Sequence, residues 1–501
     1  MLLISNFYDK YVIYAKYLLI LFLFWISINT GSKYVIFDDL YLNFTENSFN
    51  FLRSILPYFI LIYLLIFENN IFKKDNLKFD YFFVFFGLYG FFQISGLFYQ
   101  FDNFYEHYWI VCLFSILLFY NLIKNHQNDK LIYTLYIANI ILISIVFTIF
   151  IFITFKENLF SEHLLYNSRS FSIIYNTEQL PRSSGLSRMA LILFIFANSL
   201  YFSNIPNFKN KNYLLIFNTI LISIILLLQS RGALLGFVLI FFTWIIIFRV
   251  DNKLKYFIST ILLPLLIFTS YPNLKNILIE KYGNVDTYVS TKQKTFKINN
   301  LEISLRPVLT TTEADNNNTL VKKISSISNN RLDAWNYLIQ IFFYGEINNI
   351  MKKKLEKDDY QYADFKKFKK RNIFLGFGPQ ADRHLMYSKS KLHKSPIILG
   401  PFGQNASNAF IYSLVCSGII GLICFIIINV VILFKILKIF NNNFKTKIFK
   451  SNPLLCASIF SILFLQFRCL FENSFSVYGV DLIIIITSYL IIQSEYRKLL
   501  G

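Results

Sequence analysis

Apolar residues run along this chain in long blocks broken by short polar stretches, and a helix needs about 20 such residues to cross the hydrocarbon of a bilayer. The pattern predicts twelve spans: Tyr11 to Ile28, Phe51 to Phe67, Phe79 to Phe98, Tyr108 to Ile123, Leu131 to Phe155, Met189 to Phe202, Tyr213 to Gln229, Gly232 to Phe248, Leu254 to Ser270, Phe410 to Phe434, Leu454 to Phe467 and Gly479 to Ile492. The sixth and eleventh are short for a crossing. One long polar segment interrupts the series. The expected fold is therefore an all-α polytopic membrane protein in three parts: residues 1–270 with spans one to nine, 271–407 as a large external loop domain, and 408–501 with spans ten to twelve.

Composition agrees with the pattern. Hydrophobic residues make up 55% of the chain, which has 58 Phe, and the mean hydropathy is +0.48; no soluble core needs so much apolar length. No Ala-x-Ala site follows the first run, whose flank is Asn29-Thr30-Gly31, so that run reads as a retained signal anchor.

Charge then orients the spans, because Lys and Arg in short loops stay on the cytoplasmic side. With both termini cytoplasmic, every cytoplasmic loop is basic: Lys73, Lys74 and Lys78; Lys124 and Lys130; Lys209 and Lys211; Arg249, Lys253 and Lys255; the cluster from Lys435 to Lys450; and Arg497 with Lys498. The first two external loops carry Asp38, Asp39, Glu46, Asp102 and Glu106 against Lys33 alone. The long segment breaks the rule, with 22 Lys and Arg against 12 Asp and Glu out of a net charge of +20. Long loops translocate whatever their charge, so the excess points to an anionic partner outside the cytoplasm. Lys352 to Lys354 and Lys366 to Arg371, in charge-dense runs, read as solvated surface.

Several chemistries are disfavoured. All five cysteines, Cys112, Cys416, Cys424, Cys456 and Cys469, fall in or beside spans, so neither disulfides nor a thiolate metal site is expected. The histidines His107, His126, His163, His384 and His393 lack metal-ligand spacing. No phosphate-binding Gly loop, dinucleotide fingerprint or repeat is present, and no nucleic acid, metal or cofactor is expected.

The polar residues that remain carry the functional reading. Arg231 sits between two spans in Gln229-Ser230-Arg231-Gly232, a turn that either holds an anion or anchors the hairpin at the lipid headgroups. Arg182 and Arg188 frame Pro181-Arg182-Ser183-Ser184-Gly185-Leu186-Ser187-Arg188. In the long loop, Arg331 and Trp335 lie one turn apart on an amphipathic stretch, and Gly376-Phe377-Gly378 leads to Asp382, Arg383 and His384. The chain returns to the membrane through Ser407-Asn408, followed by Gly418-Ile419-Ile420-Gly421. Glu472, near the external end of the eleventh span, is a further candidate proton acceptor, but it lies one turn from Arg468 and is expected to pair with it instead.

Taken in order, Arg182-Ser183-Ser184-Gly185-Leu186, Ser230-Arg231-Gly232-Ala233, Arg331 with Trp335, Gly376-Phe377-Gly378, and Ser407-Asn408 before Gly418-Ile419-Ile420-Gly421 resemble the O-antigen polymerase and ligase superfamily of bacterial envelope glycosyltransferases. The resemblance covers about residues 180–480. It implies an inner-membrane enzyme acting without metal on glycans carried by undecaprenyl diphosphate, alongside a flippase and a chain-length regulator. It also implies inversion of the anomeric centre. Arg231 and Arg331, with Asp382 or His384 as base, are the catalytic candidates; Arg182, Arg188, Arg383, Ser407 and Asn408 are the substrate-binding ones.

One departure separates the two activities. Ligases of this family usually have His immediately before the Asn of the re-entering helix; Ser407 stands there in this chain, and a neutral Ser is a poor base. Polymerase is therefore the first expectation and O-antigen ligase the second. A metal-dependent glycosyltransferase using Asp38 and Asp39, and a lipid-linked sugar flippase, remain as alternatives; a flippase has little use for so large an external domain.

Overall fold

Backbone amides in hydrocarbon must find partners within their own segment, so apolar blocks of this length fold as helices. The computed structural model describes residues 2–28, 44–67, 80–94, 104–126, 128–159, 183–204, 211–228, 230–248, 253–282, 296–298, 301–303, 331–345, 360–361, 373–379, 381–386, 389–390 and 406–500. A helix overlies each of the twelve apolar runs. Six are long and apolar enough to cross a membrane: Trp109–His126, Asp129–Phe152, Ser184–Tyr201, Arg231–Phe248, Leu254–Tyr271 and Ala409–Asn442. Five shorter apolar helices join them: Tyr11–Ser27, Ile55–Ile66, Tyr81–Gln93, Asn212–Leu228 and Pro453–Arg468. This is the make-up of a polytopic membrane protein. The strands among the described residues form two small antiparallel hairpins, Phe296–Ile298 with Leu301–Ile303 and Tyr360–Gln361 with Lys389–Ser390.

Burial separates the faces that meet protein from those that meet lipid. On Asp129–Leu159, Ile137, Ile141, Ile145 and Ile149 are 39%, 52%, 50% and 53% exposed. Their spacing of four makes one apolar stripe pointing out of the bundle. Such a stripe belongs against acyl chains, not water. Val480–Leu500 is the opposite case, buried continuously from Val480 to Glu495 and packed against Phe104–His126, Asp129–Leu159, Ala409–Thr446 and Pro453–Arg468. A helix enclosed on all sides must satisfy its polar residues inside the bundle. Thr487 Oγ1 accepts from Asn139 Nδ2 at 2.9 Å, and Tyr489 Oη accepts from Lys435 Nζ at 2.5 Å.

Two helices are interrupted for identifiable reasons. Pro264 has no N–H to donate, and the turn before it, Ile258–Leu262, loosens into a π-helix whose Ser259 carbonyl accepts from Thr219 Oγ1 at 2.7 Å. The helix then runs on to Tyr282, beyond the span end expected at Ser270. Ala409–Thr446 breaks at Gly418, where φ is 71° and ψ −172°. Ser183–Tyr201 also begins earlier than its apolar texture indicates, and so takes in Arg188.

The Gly418 break is filled by another segment. Ile419 and Ile420 would ordinarily donate to the carbonyls of Val415 and Cys416; instead they donate to those of Ile373 and Phe374, at 3.1 and 3.3 Å. The carbonyls so released accept from Phe377 N at 2.9 Å and Gly378 N at 2.8 Å. Segment 373–378 is thereby inserted into the helix ladder. Around it lies a second core, separate from the main one, built from Ala334, Tyr337, Leu338, Ile341, Phe342, Phe377, Ala381, Leu385 and the Tyr412–Cys416 turn.

Candidate functional site

Short polar side chains at the ends of helices make local backbone contacts, and Asn408 is such a cap. Its Oδ1 accepts from Phe410 N at 2.9 Å and Ile411 N at 3.1 Å, and its Nδ2 donates to Leu470 O at 3.1 Å. Asn408 N donates to Asn473 Oδ1 at 3.1 Å. Asn408 therefore starts one helix and fastens it to the loop joining Pro453–Arg468 to Val480–Leu500. Ser407, just before it, has φ 47°, and Ser474, in that loop, has φ 31°. Both are in the left-handed region that costs a residue with a Cβ, and strain of this kind is held in place only by dense surrounding contacts.

The 469–479 loop gathers the other polar groups of this end. Arg331, at the start of Arg331–Tyr344, donates from Nη1 to Phe471 O at 2.5 Å, and its Nη2 lies 3.4 Å from Glu472 Oε1. Both members of the pair are 25% exposed, so solvent reaches the pair. The expected Glu472–Arg468 pairing is replaced: Arg468 Nη1 meets Asp481 Oδ2 at 2.5 Å. Glu472 follows the end of its helix, and the turn at Leu470–Phe471 carries it away from Arg468 towards Arg331. Asp481 also receives Ser474 Oγ at 3.0 Å and lies 2.8 Å, through Oδ1, from Arg188 Nη1. One buried carboxylate thus neutralises arginines from two other segments, as burial of a charge demands.

Asp382 lies on the short helix Ala381–Met386 and is fully buried. Its Oδ2 accepts from Ala406 N at 2.8 Å and Asn473 Nδ2 at 3.4 Å. Trp335 Nε1 donates to Ala406 O at 2.7 Å from the other side. Asp382, one of the two expected bases, thus has no accessible surface, and its Oδ2 is committed to the backbone before Ser407 and to Asn473. Burial also raises the pKa of Tyr337, whose hydroxyl donates to Leu385 O at 3.1 Å in the same small core.

Arg231 begins Arg231–Phe248 in an exposed position. Five residues on, a Cβ at Gly236 would stand 2.7 Å from the Phe464 ring and 3.2 Å from Leu191 Cδ2, so the backbone approaches its neighbours closely there. Phe464 and Leu191 each lie within about one turn of Arg468 and Arg188. Arg231 therefore sits at the same end of the bundle. Arg182, Asp38 and Asp39 lie outside the described residues, and the side chains of Arg383 and His384 lie outside them as well.

The fold brings together Arg188, Arg331, Asp382, Ser407 and Asn408 from the expected set, with Arg231 at the same end. Reading the sequence missed Asp481 and Asn473 as members. Asp481 stands at the start of an apolar run with Arg468 thirteen residues before it, a spacing that two helices and a tight connection make into a contact; a lone Asp inside a span was the available signal. Among the described residues no group of His, Cys, Asp and Glu could hold a metal ion. No protein-family model, curated protein or solved structure matches the chain.

Proposed function

We propose that this chain is a membrane glycosyltransferase that polymerises oligosaccharide repeat units carried on undecaprenyl diphosphate into O-antigen or a related surface polysaccharide. The observation that carries the reading is the Arg331–Glu472 pair, partly exposed beside the Ser407–Asn408 re-entry point, with Arg188 and Arg468 held in the ion network behind it. In the matching topology the chain crosses the bacterial inner membrane twelve times, with both termini cytoplasmic and residues 271–407 outside. The opposite end of the bundle, where Lys124, Lys435 and Arg497 lie, then faces the cytoplasm, in keeping with the positive-inside rule.

The chemistry suits these side chains. An acceptor hydroxyl attacks the anomeric carbon, the bond from that carbon to the diphosphate oxygen breaks, and the departing diphosphate gains negative charge. Arg331 supplies a fixed, permanently charged fork to that oxygen, and Arg231 stands at the same end as a second anion-binding group. Glu472 accepts the proton of the attacking hydroxyl, taking the role that Asp382 is too buried to fill. Ser407 in place of a basic residue favours polymerase over ligase.

Deletion of the gene separates the readings. A lost polymerase leaves single repeat units on the lipid A core, because a separate ligase still transfers them. Core without repeat units, together with long chains accumulating on undecaprenyl diphosphate, would make the protein a ligase instead.

A further inference from the structure

The end of Val480–Leu500 far from Arg468 gathers charge of one sign. Tyr489, Gln493 and Arg497 recur every four residues and so share a face of the helix. Two of them hold a buried cation from Ala409–Thr446: Lys435 Nζ donates to Tyr489 Oη at 2.5 Å and to Gln493 Oε1. Lys124, also buried, comes to this place from Phe104–His126, with Arg497 Nη1 3.5 Å from its carbonyl. The charges of Lys124 and Arg497 both act on Lys435.

The carboxylate that answers these cations is already engaged. Asp80 Oδ1 caps Tyr81–Gln93 by accepting from Phe83 N at 2.8 Å, while Oδ2 accepts from Tyr120 Oη at 2.5 Å and lies 4.0 Å from Lys124 Nζ. Asp129 and Glu495 pair with Lys498 instead. Among the described residues no carboxylate forms an ion pair with Lys435, Lys438 or Arg497. The excess also reaches the surface that meets lipid. Lys438 is exposed, and Lys435 Nζ and Lys438 Nζ lie 5.5 and 5.7 Å from the centre of the Tyr496 ring, which thus joins the buried ammonium to the exposed one. On the same helix Val430, Phe434 and Leu437 are exposed at spacings of four and three, an apolar stripe that ends at Lys438, whose ammonium stands 4.8 Å from the Phe434 ring centre.

We propose that Lys435, Lys438, Tyr496 and Arg497 form a binding site for the headgroup of an anionic phospholipid, with an acyl chain lying along Val430, Phe434 and Leu437. The phosphate balances cations that the protein gathers with too few carboxylates, and basic residues between helices at a membrane face recognise such headgroups. The aromatic ring suits the same depth. A soluble phosphate shares the charge but makes no use of the stripe. The site joins the C-terminal parts of Ala409–Thr446 and Val480–Leu500, and it lies at the end of the bundle away from Arg331 and Glu472, so it does not rest on the reaction proposed above.

Native mass spectrometry of the purified full chain in detergent, titrated with phosphatidylglycerol, phosphatidylcholine or inorganic phosphate, tests the site. Phosphatidylglycerol should be retained at least about 5-fold more tightly than phosphatidylcholine, and Lys438→Gln and Arg497→Gln should each weaken it by about 5-fold, the effect of one basic residue beside an anionic headgroup. Neither side chain is buried, so both variants should fold. Lys255→Gln, at an exposed lysine held by Asn212, should leave retention unchanged. Equal retention of the two lipids, an equal drop in Lys255→Gln, or full retention in the Lys438→Gln, Arg497→Gln double variant would overturn the proposal. Displacement of the lipid by millimolar inorganic phosphate would overturn it too, by making the site one for a soluble anion. Thermal unfolding gives a second measure: phosphatidylglycerol should raise Tm above its value in phosphatidylcholine, and an equal rise in the double variant would contradict the assignment.

Discussion

The two cores of this protein are held by different means. The main one surrounds Val480–Leu500 with apolar side chains from the neighbouring helices, and its polar residues meet side chain to side chain, as Trp25, Asn139 and Thr487 do. The second, beside the Arg331–Glu472 pair, is smaller and depends on backbone: segment 373–378 replaces four groups in the ladder of Ala409–Thr446, and Asp382, Asn408 and Asn473 tie the ends together. Side-chain packing in the first can yield by rotamer shifts. Backbone pairing in the second cannot, because removing one contact there leaves an amide or carbonyl without a partner. The difference teaches where precision is required: the region that carries the proposed chemistry is the one whose geometry is fixed by main-chain bonds.

The sharpest break of this comparison is a single methyl group. A Cβ at Gly418 would stand 2.3 Å from Phe374 O, and one at Gly376 would stand 2.4 Å from Gly418 N, with φ at 71° in both. Gly418→Ala or Gly376→Ala should therefore destabilise the second core by more than about 4 kcal/mol, seen as loss of the folded chain in thermal unfolding. Normal Tm and yield in either variant would remove the insertion from the account. Next comes the ion network: Asp481→Leu leaves Arg188 and Arg468 buried without a counter-charge and should cost about 3–5 kcal/mol. Replacing all three residues by apolar ones should recover part of that loss. Gly87→Ala is the smallest change. Nothing lies within 4 Å of its added Cβ in Tyr81–Gln93, so the substitution should be neutral or stabilising by less than about 1 kcal/mol. A loss as large as that at Gly418 would show that the main bundle is no more forgiving than the second core.

The main bundle was legible because hydropathy reports burial in lipid and protein alike, and each apolar run coincides with a helix. Its ends were less legible. Ser183–Arg188 is polar, yet it is helical and pairs across the bundle through Arg188. The site was legible in residue type more than in partnership. Arg331 and Trp335 begin a helix as their spacing indicates, but nothing local announces that the Trp335 indole donates to Ala406 O, some seventy residues on. Gly376-Phe377-Gly378 reads as a turn in sequence; its pairing with Gly418 joins positions some forty residues apart, and no local pattern encodes that. Asp382 shows the same limit, since a carboxylate drawn as a base and one buried as a tether look alike in a string of letters.

If the Arg331–Glu472 pair is the reacting centre of a polysaccharide polymerase, the glycan ladder of a deletion strain complemented with Glu472→Gln will show it. Gln keeps the size of Glu472 and its contact with Arg331 but cannot take a proton, so polymerisation should fall by about 100-fold or more. The expected result is single repeat units on the lipid A core at normal protein level. A ladder of normal length from the same amount of Glu472→Gln protein would contradict it.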